Sequence, residues 1–533
     1  MSAMVIARPT RAPARGALPR ESRRGTPLAA CAVALLLEAC GGSSQGHPPH
    51  AEPNGGAGAA TEMGGSSGAS GGKTGGSAGV NATGGVSATG GAAGVGTAAG
   101  SGGTAGSGVG GDGVAGSAVV PTPGLRGAPL VFAPTSHGFG LSVVVTELEP
   151  ATLRVRARAE ADAAWADWVS PTVRAENLSE WQLDGLEPGT HYLYEVAYGA
   201  GSDPQTLFSG AVTTARPEGA TFSFALVSDT HIGSDLTYTN QGDQTVLTAV
   251  SAAIGAASAD FVVNLGDMLD FHEFGFNTPP PDSSISRAAY LNYRATYGDP
   301  LGSFAHFPVL GGWDSENGCN TVDEIERSRT QRLLYLPGPT PDTYPQGGSP
   351  FEDYYAFTWG DALFVMLNIY TYTPGCHLLS TYPGLPDDWT LGDAQMAWLR
   401  TTLENATSKW RFLLIHHPAG GNAGDDVDSA YGRGGGRAAH VGEQDMIHQM
   451  MQDYGVQTMF YGHDHVFTDM PVDATHYTLP GSAGAIWFFT EAETGYTDFW
   501  SEPGWAKVDV NPTSVHVQFK GLAGDTLYDY TLE

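Results

Sequence analysis

Five short stretches of this chain set carboxylate or imidazole side chains directly after an apolar run. "FSFALV" leads into "SDTH", with Asp229 and His231. "FVVNL" leads into "GDMLD", with Asp267 and Asp270. "FPVL" leads into "GGWDSE", with Asp314 and Glu316, and "RFLLI" into "HHP", with His416 and His417. "VQTMFY" leads into "GHDH", with His463 and His465. A lone aspartate in a turn means little, and a lone histidine is usually satisfied polar surface. Five exits in succession that deliver these groups form a pattern. Neutral imidazole is the commonest metal ligand among side chains, and mixed nitrogen and oxygen sites suit zinc, manganese or iron. Two imidazoles at i and i+2 can address one point only where the chain curls, as it must after a strand.

Those loops need elements to hold them. The apolar runs are short, bounded by loops, and separated by helical stretches such as "DQTVLTAVSAAIGAAS" and "AQMAWLRTTLENA". A third helix, over "QDMIHQMMQDYG", should stop at Gly455. Strand, loop and helix in alternation predict a layered α/β domain over residues 218–533, whose binding groups gather where strands end. Residues 124–217 read differently. "ATLRVRARA" alternates Leu153, Val155 and Ala157 against three arginines, and "WQLDGLEPGTHYLYEV" supplies a turn and a second alternating run. Short alternating strands with turns between them predict an all-β sandwich.

In combination, D-x-H, G-D-x-x-D, H-x-P and G-H-x-H over Ser228 to His465 resemble the calcineurin-like metallophosphoesterase superfamily, which includes the purple acid phosphatases. The resemblance implies a layered α/β/β/α sandwich and hydrolysis of phosphate esters by a metal-bound hydroxide at a dinuclear site. It implies that Asp229, His231, Asp267 and His465 surround one metal ion and that Asp267, His416 and His463 hold a second. Asp267 would bridge the two, which makes it the carboxylate on which catalysis depends most. The cofactors would be two divalent or trivalent ions of iron, zinc or manganese. Leu186, Pro188, Thr190 and Tyr192 resemble the fibronectin type III pattern, in which the tyrosine braces a corner. A β-sandwich ahead of the catalytic domain resembles the purple acid phosphatase arrangement. That group usually lacks the histidine of D-x-H and carries a tyrosine after G-D, where this chain has His231 and Asp270.

The third block departs from the family. Where the resemblance expects Gly-Asn-His-Asp/Glu, the chain reads Gly311-Gly312-Trp313-Asp314. Glycine and tryptophan supply neither the metal-directed carbonyl nor the phosphate-directed imidazole of that motif. Either Asp314, Glu316 or Asn317 substitutes, or the second metal site is weak. The departure keeps open an alternative function, a surface protein that retains the fold and binds a metal or ligand without turnover. Arg433 and Arg437 in "YGRGGGR" are candidates to pair with phosphate oxygens, or are solvated arginines on a Gly-rich lid. His272, His417 and His440 are candidate proton donors, whereas Trp313, Trp389, Trp398 and Trp410 read as packing.

The ends of the chain bear on its location. Six arginines precede an apolar stretch, Leu28 to Leu37, that is too short to span a bilayer as a helix. "LLEAC" followed by "GGSS" resembles a bacterial lipoprotein signal, with Cys40 as the lipid-bearing residue and Glu38 an unusual occupant. "SRRG" resembles a twin-arginine signal. Residues 1–40 are thus expected to be a signal segment, and residues 41–120 a Gly/Ser/Ala-rich spacer without a fold of its own. The expected product is an exported lipoprotein of the bacterial outer membrane, cell surface or periplasm, held to the membrane by its lipid. Loss of residues 1–40 would leave 19 basic against 54 acidic residues. A surface this acidic excludes nucleic acid as a partner, because such binding rests on neutralising phosphates. Outside the reducing cytoplasm, Cys319 and Cys376 are expected to form a disulfide, or else are two unrelated buried thiols.

Overall fold

Burial on both faces distinguishes the strands that carry the site. In Phe222–Val227 (β8), Phe222, Phe224 and Leu226 point into one apolar cluster, and Ala225 and Val227 into another. Such strands read as continuous apolar runs because each face meets a separate layer. The computed structural model describes residues 124–533 apart from 176, 200, 202–203, 234–241, 271–282, 317, 319, 373–389, 418–442, 486, 489, 491–495 and 497. Cys40 and the spacer lie outside the described residues. So do Cys319, Cys376, Arg433, Arg437, His272, His440, Asn317 and Trp389.

The half that begins at β8 is an α/β/β/α sandwich. β8 pairs in parallel with Phe261–Asn264 (β9), and β9 with Ala305–Pro308 (β10). In a second sheet, Ala362–Met366 (β12), Trp410–Leu414 (β13), Thr458–Phe460 (β14) and Thr475–Pro480 (β16) run parallel in that order. Aromatic rings fill the space between the sheets. Phe224 stacks on Phe261 at 5.2 Å and meets Phe364 edge-on at 5.0 Å, and Phe307 stacks on Phe357 at 4.2 Å. Gln244–Ala256 (α1) and Ser283–Tyr297 (α2) cover the outer face of the first sheet. Gly392–Glu404 and Glu443–Asp453 cover the second. The α1 helix starts where Asp243 accepts a hydrogen bond from the Thr245 N–H at 2.8 Å, a normal N-cap.

Ahead of this half lies a β-rich region with seven strands among the described residues. Leu130–Thr135 (β1), Gly138–Val144 (β2), Leu178–Asp184 (β5) and Thr172–Ala175 (β4) form one sheet in that order. Leu153–Ala159 (β3), His191–Tyr198 (β6) and Gln205–Thr213 (β7) form the other. This is a Greek-key sandwich order. Leu153 and Val155 of "ATLRVRARA" are fully buried, and the Tyr192 hydroxyl accepts a hydrogen bond from the Glu187 N–H at 2.9 Å. The tyrosine therefore braces the turn it follows.

The two halves share a sheet. β1 lies parallel to β10, with Val131 opposite Ala305, so one ten-stranded sheet runs from β4 through β8 to the C-terminal strands. Arg294 on α2 is fully buried and donates to the Ser142 carbonyl at 2.7 Å, to its hydroxyl at 3.0 Å and to the Tyr335 carbonyl at 3.2 Å. Arg216 grips Asp260 with two guanidinium nitrogens, and Tyr194 donates to the Gly302 carbonyl at 2.8 Å.

Candidate metal centre

Every parallel strand in a sheet of this kind delivers its C-terminal end to the same side. The exits of β8 and β9 therefore meet those of β13 and β14 across the gap between the sheets. Backbone pairing continues past the strands: the Asp229 N–H donates to the Gly266 carbonyl and the His231 N–H to the Asp267 carbonyl, both at 3.0 Å. The Asn264 side chain accepts from the Gly266 N–H at 3.1 Å and closes the turn before Asp267. Asp229, His231, Asp267, His463 and His465 all have positive φ, between 46° and 82°. Such conformations are uncommon outside glycine and concentrate at functional sites. They curl each loop back so that its side chain faces the gap.

Three glycines let the loops close up. A Cβ on Gly266, itself at φ +103°, would lie 2.7 Å from Nδ1 of His416. One on Gly462 would lie 3.0 Å from the same atom, and one on Gly311 would collide with the Asp267 backbone and carboxylate. Small residues at these points are required by the approach of the ligand-bearing loops to one another.

The side chains gather in two clusters. Asp229, His231 and His465 form one, and Asp267, His416 and His463 the other, with the candidate ligand atoms of each within 4.8 Å of one another. All six residues are buried except His463, which is partly exposed. The clusters adjoin: Nε2 of His416 lies 3.0 Å from Oδ2 of Asp267 and 3.8 Å from Oδ1 of Asp229. Nε2 of His231 stands 4.0 Å from each of these two carboxylates.

The donors fit metal ions. Nδ1 of His416 donates to the Leu265 carbonyl at 2.8 Å and Nδ1 of His465 to the Trp487 carbonyl at 2.9 Å. A carbonyl only accepts, so both rings carry the Nδ1 proton and, when neutral, turn a lone pair outward from Nε2. Nε2 of His416 is buried and faces Oδ2 of Asp267 at 3.0 Å. Nε2 of His231 and Nε2 of His465 face each other at 3.2 Å, close to the ~3.3 Å that separates two nitrogens bound tetrahedrally at ~2.0–2.1 Å. Buried carboxylates and lone pairs directed at common points are the donor set a cation completes.

Electrostatics divides the imidazoles. Burial pushes His231 down to about 3, against the pull of Asp267 and Asp229. Burial also works to lower His416, but Asp267, Asp229 and the Leu265 carbonyl together hold it up at about 9. Burial alone would raise the Asp229 carboxyl; His465, His416 and His231 outweigh it and keep the group well below its ordinary range.

The third block is now placed. Gly312–Asp314 forms a single 3-10 turn. Asp314 accepts from the Leu269 N–H at 3.0 Å and the Gly311 N–H at 2.8 Å, tying this loop to the one that bears Asp267. Glu316 is buried between Arg332 and Arg329. Both carboxylates thus serve as braces, and neither joins a cluster. The Trp313 N–H donates to Oδ1 of Asp267 at 2.8 Å, which leaves Oδ2 toward His416. Asp270 is buried nearby and likewise joins neither cluster. His417 shares a 2.5 Å hydrogen bond with the Tyr370 hydroxyl, and its ring lies 3.7 Å from that of His463.

Two contributors were not singled out in the sequence, Tyr370 and Trp487. Tyr370 follows the exit of β12 and Trp487 that of β16, so the rule that found the other residues reaches them once uncharged side chains are admitted.

Comparison with known proteins agrees with this geometry. Residues 222–467 match the calcineurin-like phosphoesterase family model, and that segment is a domain of that family. No curated protein matches the chain in sequence. Among solved structures, one described as PhoD is similar over 77% of this chain and 90% of its own, at 14% identity and a TM-score of 0.57. It shares the fold, including a β-rich N-terminal region. GAP50, described as the anchor in the inner membrane complex of Plasmodium, gives 16% identity over 59% of this chain and 89% of its own, with a TM-score of 0.37. A fibronectin type III domain of human collagen XX matches 19% of this chain and all of its own at 22% identity, with a TM-score of 0.15.

Proposed function

We propose that the protein hydrolyses phosphate esters at a two-metal centre formed by Asp229, His231 and His465 on one side and Asp267, His416 and His463 on the other. The observation that carries this reading is the convergence of four strand exits on two adjoining clusters inside a calcineurin-like phosphoesterase domain. Paired cations supply charge for the phosphoryl oxygens and lower the pKa of bound water toward ~7. The chain's own residues do the rest. Asp267, held at Oδ1 by the Trp313 N–H, lies nearest the seam between the clusters and would bridge them. The Leu265 and Trp487 carbonyls keep His416 and His465 in the tautomer that ligates. Tyr370 fixes the buried His417 ring beside His463, where an imidazole N–H could hand a proton to the departing ester oxygen.

Metal analysis of the purified protein, with assays on p-nitrophenyl phosphate and bis-p-nitrophenyl phosphate, tests the reading. About two metal equivalents and chelator-sensitive turnover are expected. Metal retained without turnover of either ester would overturn it in favour of a binding protein on the same fold, the reading that Trp313 at the third block keeps open.

A further inference from the structure

Trp313 stands where the family resemblance expects an imidazole, and its surroundings give it a use. Its ring meets His231 edge-on, with centroids 4.5 Å apart and planes at 79°. Trp487 reaches the same imidazole from the loop after β16, at 4.9 Å, and meets His465 at 4.7 Å. The two indoles lie 5.7 Å apart with planes inclined by 33°. Each is anchored by its own main chain: the Trp313 N–H on Asp267 and the Trp487 carbonyl on Nδ1 of His465. Both remain partly exposed, whereas the ligands of the first cluster beneath them are buried.

We infer that Trp313 and Trp487 form an aromatic wall that selects phosphate esters whose leaving group carries a planar ring next to the ester oxygen. This inference rests on the phosphoesterase reading above. A phosphoryl group seated on the clusters directs its charged oxygens inward, so its ester substituent must leave across the rim. On the first-cluster side that rim is two indoles. Stacked or edge-to-face aromatic contacts gain stability beyond simple burial, and the negative face of an indole disfavours an anionic substituent. Both rings sit within 5 Å of a candidate ligand imidazole. That places the wall beside the first ring of the substituent, so an aryl ester fits it better than a nucleotide, whose base is one sugar further out.

The test compares ligands and variants on the metal-loaded full chain. Binding of phenylphosphonate and methylphosphonate is followed by tryptophan fluorescence and by calorimetry, and turnover of phenyl phosphate, adenosine 5′-monophosphate and glycerol 3-phosphate is measured alongside. Phenylphosphonate should bind the parent about tenfold tighter than methylphosphonate, as expected of one stacking contact. Trp313→Leu, which keeps apolar volume without a ring, should bring that preference below about threefold, and Trp313→Phe should keep most of it. Trp487→Leu gives a second, independent variant, because the hydrogen bond that orients His465 comes from the Trp487 main-chain carbonyl and survives the change. In the Leu variants kcat/KM should fall most for phenyl phosphate and least for glycerol 3-phosphate. Intrinsic ester reactivity cancels, since each ester is compared between variants. No phenyl preference in the parent, or a preference that survives both Leu changes, overturns the inference while leaving the phosphoesterase reading intact. A larger loss for the nucleotide than for the phenyl ester overturns the aryl assignment. Failure of the loaded parent to bind either phosphonate or to hydrolyse any of the esters overturns the phosphoesterase reading, and this inference with it.

Discussion

The two ligand clusters are assembled from the same parts, one aspartate and two histidines each, yet they are different environments. The first is closed. Its three residues are buried, the two indoles cover it, and burial keeps His231 neutral down to about 3. The second is more open: His463 is partly exposed, and His416 beside Asp267 holds its proton up to about 9. The third-block loop reaches this side with a main-chain N–H on Asp267, where the family motif would bring a carbonyl and an imidazole. Identical donor types therefore do not make equivalent sites. A buried imidazole without a proton is ready to ligate, whereas one paired with a carboxylate must first give its proton up.

The largest expected effect comes from Asp267, a member of the second cluster that is proposed to bridge to the first. Asp267→Asn should strip metal from both clusters and lower kcat/KM by about 100-fold or more, since losses of 10–100-fold already follow from changes one shell further out. Asp270→Asn, outside both clusters, should cost much less. Elemental analysis beside steady-state kinetics decides the matter. Equal losses in the two variants, or full metal content in Asp267→Asn, would break the picture of a shared carboxylate.

An effect of intermediate size follows from the protons. Below about 9 the His416 imidazole is protonated in the metal-free protein, and that proton must leave before Nε2 can ligate. Affinity at the second cluster should therefore weaken by about tenfold for each pH unit below 9 and level off above it. His231 is neutral above about 3 and contributes no such proton across this range. Calorimetric titration of metal-free protein in buffers of different ionisation enthalpy counts the protons released. An equal, pH-independent release in both binding events would contradict the contrast drawn between the clusters.

The smallest effect expected is at the third block. Gly312→Asn would return a side-chain carbonyl to the loop that now offers only its backbone, and should tighten the second binding event by about tenfold or less. Turnover should recover little, because Trp313 still stands in place of the imidazole, and the double change Gly312→Asn with Trp313→His should be the more active variant. Two equally tight events in the unmodified protein would show that a neighbour already fills the gap and that the clusters differ less than their surroundings suggest.

Much of this architecture is legible locally. "FSFALV" is β8 residue for residue, and the helices begin and end where Asp243 and Gly455 mark them. Strand exits narrow the search to ten residues, because parallel strands must deliver their ends to one edge, but the same rule also names Asp270, Asp314, Glu316 and His417. The family resemblance, and not the exit pattern, singles out Asp229, His231, Asp267, His416, His463 and His465. Tyr192 was legible for a similar reason, as its partner is only five residues away.

Other features depended on contacts between distant segments. No local pattern shows that β1 pairs with β10, since an exposed strand edge carries no record of its partner. Asp314 and Glu316 stood as possible ligands in the sequence. The fold instead binds one to the amides of Gly311 and Leu269 and the other to Arg329 and Arg332. Trp313 read as packing, and became half of an aromatic wall only when a loop more than 170 residues away brought Trp487 beside it. The sequence by itself determined which groups could do chemistry and at which strand ends they stand. Tertiary structure decided which carboxylates face the gap, which imidazoles keep their protons and what covers them, because burial and charge pairing exist only after remote loops have met.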